Sequence, residues 1–182
     1  MQTIFGITGL MASGKGTVAS YLETKHNASN FQYSKMLRDI LDRLYLPQNR
    51  DTMPKCSKMI RDTFGNDIMA RTMAEDVKHS HENIIVIEGI RRLDDIKYLQ
   101  QNPNFILIRI DADEKIRYSR LTTRTENTDD KTKTFNQFIS DHQKETELTI
   151  PEVMNLATET LNNDGSLENL HTQIDSLTKK YQ

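Results

Sequence analysis

Short, wholly apolar runs alternate along the chain with longer amphipathic stretches. Residues 2–8 read Gln-Thr-Ile-Phe-Gly-Ile-Thr and predict a short buried strand. Residues 15–26 carry Val18, Ala19 and Leu22 at helical spacing. Residues 31–34 predict a brief second strand. From Ser34, a good N-cap type, Met36, Leu37, Ile40, Leu41 and Leu44 mark a helix face that stops before Pro47. Pro54 suits the first turn of a helix running to Phe64. Gly65 breaks the chain, and another helix is predicted through about His81.

Residues 84–87, Ile-Ile-Val-Ile, form a β-branched run of the kind buried on both faces of a parallel sheet. A helix over 93–101, a strand over 105–110 and a helix over 113–124 follow. Residues 125–133 are polar and lack hydrophobic periodicity, which predicts a loop. Helices over 134–147 and 150–155, a weak edge strand over 157–161, a turn at 162–165 and a helix over 166–180 complete the pattern. Strands alternating with helices predict an α/β fold, a three-layer α/β/α sandwich on a five-stranded parallel sheet. Residues 34–81 then form a helical insertion between two strands, and about 120–137 a short lid.

The length of 182 residues suits one domain, 1–182. Lys and Arg number 24 against 26 Asp and Glu, a formal charge of −2, which argues against a nucleic-acid binder. No apolar run approaches the ~18 residues of a membrane span. The N-terminus has neither the charged start nor the long apolar stretch of a signal peptide. One cysteine, Cys56, excludes an internal disulfide framework. These features predict a cytoplasmic protein without membrane or nucleic-acid partners, a monomer or homodimer. The histidines 26, 79, 81, 142 and 171 lack metal-ligand spacing. Methionines 53, 59, 69 and 73 read as core filler.

Glycine changes the picture. Four of the seven glycines, Gly6, Gly9, Gly14 and Gly16, lie within residues 6–16. After the first strand comes Gly9-Leu-Met-Ala-Ser-Gly14-Lys15-Gly16-Thr17, which fits Gly-x-x-x-x-Gly-Lys between a strand and a helix. The bland reading is a glycine-rich turn with a surface lysine. The chemical reading is a nest of backbone N–H groups for phosphates, set on a positive helix end. Lys15 would meet the β- and γ-phosphates. Met11, Ala12 and Ser13 belong to the same loop. Gly16 stands where most such loops place a magnesium-binding hydroxyl, and Thr17 is next. Mg²⁺ would then be held mainly by nucleotide oxygens and waters.

The Gly14-Lys-Gly-Thr17 form resembles the loop of nucleoside monophosphate kinases such as adenylate kinase. Ser34-Lys-Met-Leu-Arg38 is similar to that family's acceptor helix, whose arginine grips the acceptor phosphate. Glu88-Gly-Ile-Arg91-Arg92 resembles its acidic-Gly-x-x-Arg segment, and Arg120-Leu-Thr-Thr-Arg124 its lid arginines. The chain also resembles dephospho-CoA kinase and an uncharacterised adenylate-kinase-related family at 163–170, where Asp164 and Gly165 would lie beside the donor adenine. The resemblance implies ATP and Mg²⁺ as cofactors. Glu88 would orient magnesium-bound water, Arg91 or Arg92 would hold the acceptor phosphate, and Arg120 and Arg124 would close on the phosphates.

Elementary chemistry runs the same way, since phosphoryl transfer rests on positioning and charge neutralisation. Arg117, Arg120 and Arg124 share a helix face, although helix arginines are usually solvated or salt-bridged. Asp39 and Asp42 offer Arg38 structural partners. Tyr33 or Phe31 would stack on an acceptor base, or be core. An alcohol acceptor benefits from a carboxylate base, and a phosphate monoester does not. Residues 30–38 place no carboxylate at the strand end, which favours a nucleoside or deoxynucleoside monophosphate. A dephospho-CoA kinase-like alcohol acceptor, a P-loop ATPase or switch, and a non-catalytic nucleotide binder stay open as alternatives.

Overall fold

The computed structural model describes residues 2–49, 51–123 and 130–182. Its five strands are β1 (Thr3–Thr8), β2 (Ser29–Gln32), β3 (Ile84–Glu88), β4 (Phe105–Asp111) and β5 (Glu159–Asn162). All pairings are parallel, in the order β2-β3-β1-β4-β5. β1 is buried at every position, and β3 at all but Glu88.

Side-chain alternation splits the core in two. On one face Ile4, Ile85, Ile87 and Leu107 pack against helices α2 (Tyr33–Arg43), α3 (Thr52–Phe64) and α4 (Ile68–Lys78), with α5 (Leu93–Ile96) and α9 (Ile150–Met154). On the other, Phe5, Ile7, Val86 and Ile108 meet α1 (Lys15–His26) and α10 (Leu167–Tyr181). This is the three-layer α/β/α sandwich expected. Gly6 lies on the first face, where a Cβ would stand 2.7 Å from the Phe105 ring. Absence of a side chain there lets β1 and β4 pair under that ring.

Several boundaries differ from expectation. β2 begins at Ser29 and α2 already at Tyr33, with Gln32 as its N-cap and Ser34 inside the helix. The expected helix over 93–101 is one turn, α5, followed by a separate 3₁₀ turn at Leu99–Gln101. The expected 134–147 helix divides into α7 (Phe135–Asp141) and α8 (Glu145–Leu148). α6 spans Glu114–Thr123. Leu37 and Leu41 are buried on α2, whereas Ile40 and Leu44 are exposed. Met69 and Met73 are core, but Met59 is exposed because α3 packs through Cys56 and Arg61.

Candidate active site

The loop from β1 to α1 opens between two sheet neighbours, β3 and β4, where chain crossovers leave in opposite directions. Open α/β sheets bind ligands at such a point. Its backbone is bent by residues of positive φ: Gly9 at 155°, Ala12 at 60° and Gly14 at 103°. At Gly9 a Cβ would lie 2.7 Å from the Ile110 carbonyl oxygen, and at Gly14 it would lie 2.1 Å from Asn163 Nδ2. Both positions therefore require glycine.

Gly14 is the N-cap of α1 and supplies no side-chain cap, and the first turn has no acidic residue. The first N–H groups of a helix have no intrahelical partner. Lys15 opens this helix, and its Nζ donates to the carbonyls of Gly9 (2.7 Å) and Leu10 (3.0 Å). Ser13 is buried, with its Oγ unpartnered among the described residues.

Two side chains brace this loop from distant segments, each held in turn by a neighbour. Arg117, buried on α6, donates from Nη1 to the Met11 carbonyl at 3.2 Å and from Nε to Ala112. Nη1 also reaches His142 Nε2 at 2.8 Å, while His142 Nδ1 meets the Phe138 carbonyl at 2.9 Å. The nearby carbonyl calls for the Nδ1–H tautomer, which leaves Nε2 as acceptor. Burial lowers the Arg117 pKa. Arg117 thus buttresses the loop through the Met11 carbonyl, while Arg120, on the same expected face, bonds to Asn163. Asn163, buried, donates from Nδ2 to the Ser13 carbonyl at 2.8 Å and accepts from Arg120 Nη2 at 3.3 Å.

Arg120 keeps Nη1 buried without a partner among the described residues. With Gly14, Thr17, Asn163, Gly165 and Leu167 it lines a cavity of ≈ 220 Å³. Gly165 and Arg120 are thereby brought beside the loop. Asp164 is not: its carboxylate accepts from Asp113 N–H at 2.6 Å and from Asn162, and these donors hold its pKa below the usual range. Arg124 lies outside the described residues, as does part of the expected lid.

Across α1 stands Glu88 at the end of β3. Its Oε2 lies 3.8 Å from where a Cβ on Gly16 would be, and Oε1 accepts from Asn30 Nδ2 and Gln32 Nε2. Successive helix residues diverge by about 100°. Gly16 therefore faces Glu88, whereas Thr17 lines the Arg120 cavity.

The Arg91–Arg92 turn is organised by Asp95, a residue the sequence did not single out. Buried Asp95 accepts from the backbone N–H groups of Arg91 (2.9 Å) and Arg92 (3.0 Å) and pairs with buried Arg61 Nη2 at 2.9 Å. Tyr33 donates its hydroxyl to the Asp95 carbonyl. Tyr33 is therefore core and not a stacking surface; burial raises its pKa. Phe31 is partly buried against the same core. Ser34, half-buried, has its backbone N 4.0 Å from a Cβ built on Gly89.

Both candidate phosphate arginines meet glutamates of α8. Arg91 pairs with buried Glu147, and Arg92 with Glu145 at 3.2 Å. Arg38 is exposed and makes no ion pair with any described residue; Asp39 takes Lys35 and Asp42 takes Gln48. A shallower groove of ≈ 430 Å³ runs along α3 past Lys55, Lys58, Met59, Asp62 and Thr63. Asp62 chiefly, and Glu145 of α8 more remotely, raise the pKa of Lys58.

A parallel five-stranded sheet whose first strand feeds a glycine-rich loop and an uncapped helix start defines a P-loop domain of kinase-type fold. The family profile described as "AAA domain" matches residues 6–147, and the chain belongs to that family. It is 25% identical to a UPF0200 protein of Methanococcus maripaludis over 179 residues, 97% of this chain and 96% of the relative. The solved structure of TT1252 from Thermus thermophilus superposes with a TM-score of 0.63 at 19% identity, covering 100% of this chain and 98% of the other. Shikimate kinase from Bacteroides thetaiotaomicron superposes with a TM-score of 0.65 at 13% identity, covering 97% and 98%. At such identities the likeness is one of fold. No helix among the described residues is long and apolar enough to cross a membrane.

Proposed function

We propose that the protein transfers the γ-phosphoryl group of ATP to a nucleoside or deoxynucleoside monophosphate. The observation that carries this reading is the uncapped start of α1 with Lys15 beside it, facing Glu88 across Gly16. The loop N–H groups and Lys15 would take the β- and γ-phosphates. The cavity lined by Arg120, Thr17 and Gly165 would take the nucleoside end of the donor. Lys15 would exchange the Gly9 and Leu10 carbonyls for phosphate oxygens.

Among the described residues no group of three His, Cys, Asp or Glu is gathered for a metal. Glu88 is the carboxylate presented to the loop, a donor set that fits hydrated Mg²⁺ resting mainly on phosphates. Mg²⁺, when bound, supplies charge neutralisation along the triphosphate. Glu88 would orient its water shell.

The acceptor side favours a phosphate. β2 ends in Asn30 and Gln32, so the strand end itself offers no carboxylate to serve as base for an alcohol. Arg38, Arg91 and Arg92 supply cations toward which an acceptor phosphate can turn. The helices between β2 and β3 would form the acceptor wall, and the segment after α6 the lid.

A coupled ADP-release assay with ATP tests the reading across nucleoside and deoxynucleoside monophosphates, with dephospho-CoA and shikimate included. Turnover with one or more monophosphates is expected. Turnover with only an alcohol reverses the acceptor assignment, and ADP release without any acceptor favours an ATPase or switch.

A further inference from the structure

The end of β2 carries two amides with no part in the phosphate loop. Asn30 and Gln32 are two residues apart on a strand and so share one face. β2 runs parallel to β3 in a register that sets Gln32 opposite Glu88. Asn30 Nδ2 donates to Glu88 Oε1 at 3.0 Å, and Gln32 Nε2 donates to the same oxygen at 2.9 Å. Asn30 Nδ2 also donates to Glu23 Oε2 at 3.1 Å. Asn30 Oδ1 is left buried without a partner among the described residues. The amide is therefore oriented by what its nitrogen serves, at the expense of its own oxygen. Glu88 Oε2 is turned to the start of α1.

We propose that Asn30 and Gln32 are positioning residues. They occupy one oxygen of Glu88 and aim the other at the place where the transferred phosphoryl group passes. The inference rests on the kinase reading above. An amide N–H only donates, so it complements a carboxylate oxygen and takes no proton from it. A carboxylate at position 30 or 32 would repel Glu88 or share a proton with it. The arrangement suits an acceptor that arrives already anionic. An acceptor phosphate oxygen forms a bond to the γ-phosphorus as the bond to the bridging oxygen breaks. The electron pair of that bond leaves on ADP. No proton has to be removed from the acceptor, because a phosphate monoester is largely dianionic at pH 7.

The test uses the full chain carrying Gln32→Met, which keeps length and removes the donor, alone and combined with Glu88→Gln. Asn30→Ser gives a second probe should the first variant unfold, and thermal melts establish folding. Transfer is read as ADP release from ATP with a saturating mixture of AMP, CMP, GMP, UMP and their deoxy counterparts. Donor binding is read with a fluorescent ATP analogue. Gln32→Met is expected to lower kcat by about tenfold, the lower end for a partner that orients a functional group. The dissociation constant of the analogue should stay within about twofold. In the Glu88→Gln background the same substitution should change kcat by less than about twofold, because the group it orients is gone. Equal losses in both backgrounds, or an unchanged kcat in the single variant, overturn the inference and leave the kinase reading standing. Absence of transfer by the unmodified protein overturns both.

Discussion

The two flanks of the site are built from different materials. The donor flank is backbone: positive-φ residues at 9, 12 and 14, an uncapped α1, and one lysine resting on its own loop carbonyls. The acceptor flank is side chain. Its Arg91 and Arg92 amides hang on Asp95, their guanidinium groups lie on Glu147 and Glu145, and Glu88 is steered by two amides of a neighbouring strand. A backbone cradle comes with its chain segment. A side-chain cradle exists only once distant elements have packed. The donor flank therefore supplies fixed dipoles, whereas the Arg91–Arg92 turn holds charges already neutralised by exchangeable partners.

Substitutions can break or sharpen this contrast. The largest effect is expected at Asp95→Ala, which leaves Arg61 buried and uncompensated. Loss of about 3–5 kcal/mol is expected from breaking a buried pair. Chemical denaturation measures it, and a loss below about 1 kcal/mol would show that the Arg91–Arg92 turn holds itself. Lys15→Ala is expected to cut transfer by about 10²–10³-fold, the scale for removing one preorganised electrostatic group. Its melting temperature should change little, since Lys15 reaches the carbonyls of its own loop. Near-normal turnover would remove Lys15 from the chemistry.

Gly14→Ala probes the cradle without touching a charge. It forces a Cβ onto Asn163 Nδ2 at a φ of 103°. A cost of about 1–3 kcal/mol for the strained backbone is expected, together with weakened binding of an ATP analogue. Unaltered binding would show that loop shape is dispensable. The smallest effect is expected at Glu147→Gln, which frees a half-exposed Arg91 from its partner's charge. The acceptor KM should fall by at most about fivefold, the ~1 kcal/mol ceiling for a partly exposed pair. An unmoved KM would assign Arg91 to structure alone.

The donor flank was largely legible in advance. Gly9, Gly14 and Lys15 stand at fixed offsets between a strand and a helix, and the structure places them at the turn so predicted. The acceptor flank was legible only as a list of residue types. Arg91 and Arg92 were recognisable as cations, but their partner Asp95 looked like any surface aspartate in a short helix. Tyr33 could stack or be core, core being the commoner fate of an aromatic there; contact with the Asp95 carbonyl decides for core. Arg117 and Arg120 share a helix face, yet one braces Met11 and the other lines a cavity. A signal for Asn30 and Gln32 existed in their spacing of two on a strand. It had no meaning until β2 was set beside β3.

Local pattern alone determined the buried strand runs, the parallel α/β class and the phosphate-loop geometry, because each rests on side-chain period or on backbone freedom within a few residues. Tertiary structure decided the strand order, the braces and the partners of Arg91, Arg92, Arg117 and Arg120. Those pairings join residues 34, 56 and 150 positions apart, as in Arg61–Asp95, Arg91–Glu147 and Ser13–Asn163. A hydrogen bond or ion pair depends on separation in space, and no spacing in the sequence encodes which distant carboxylate or amide packing will deliver.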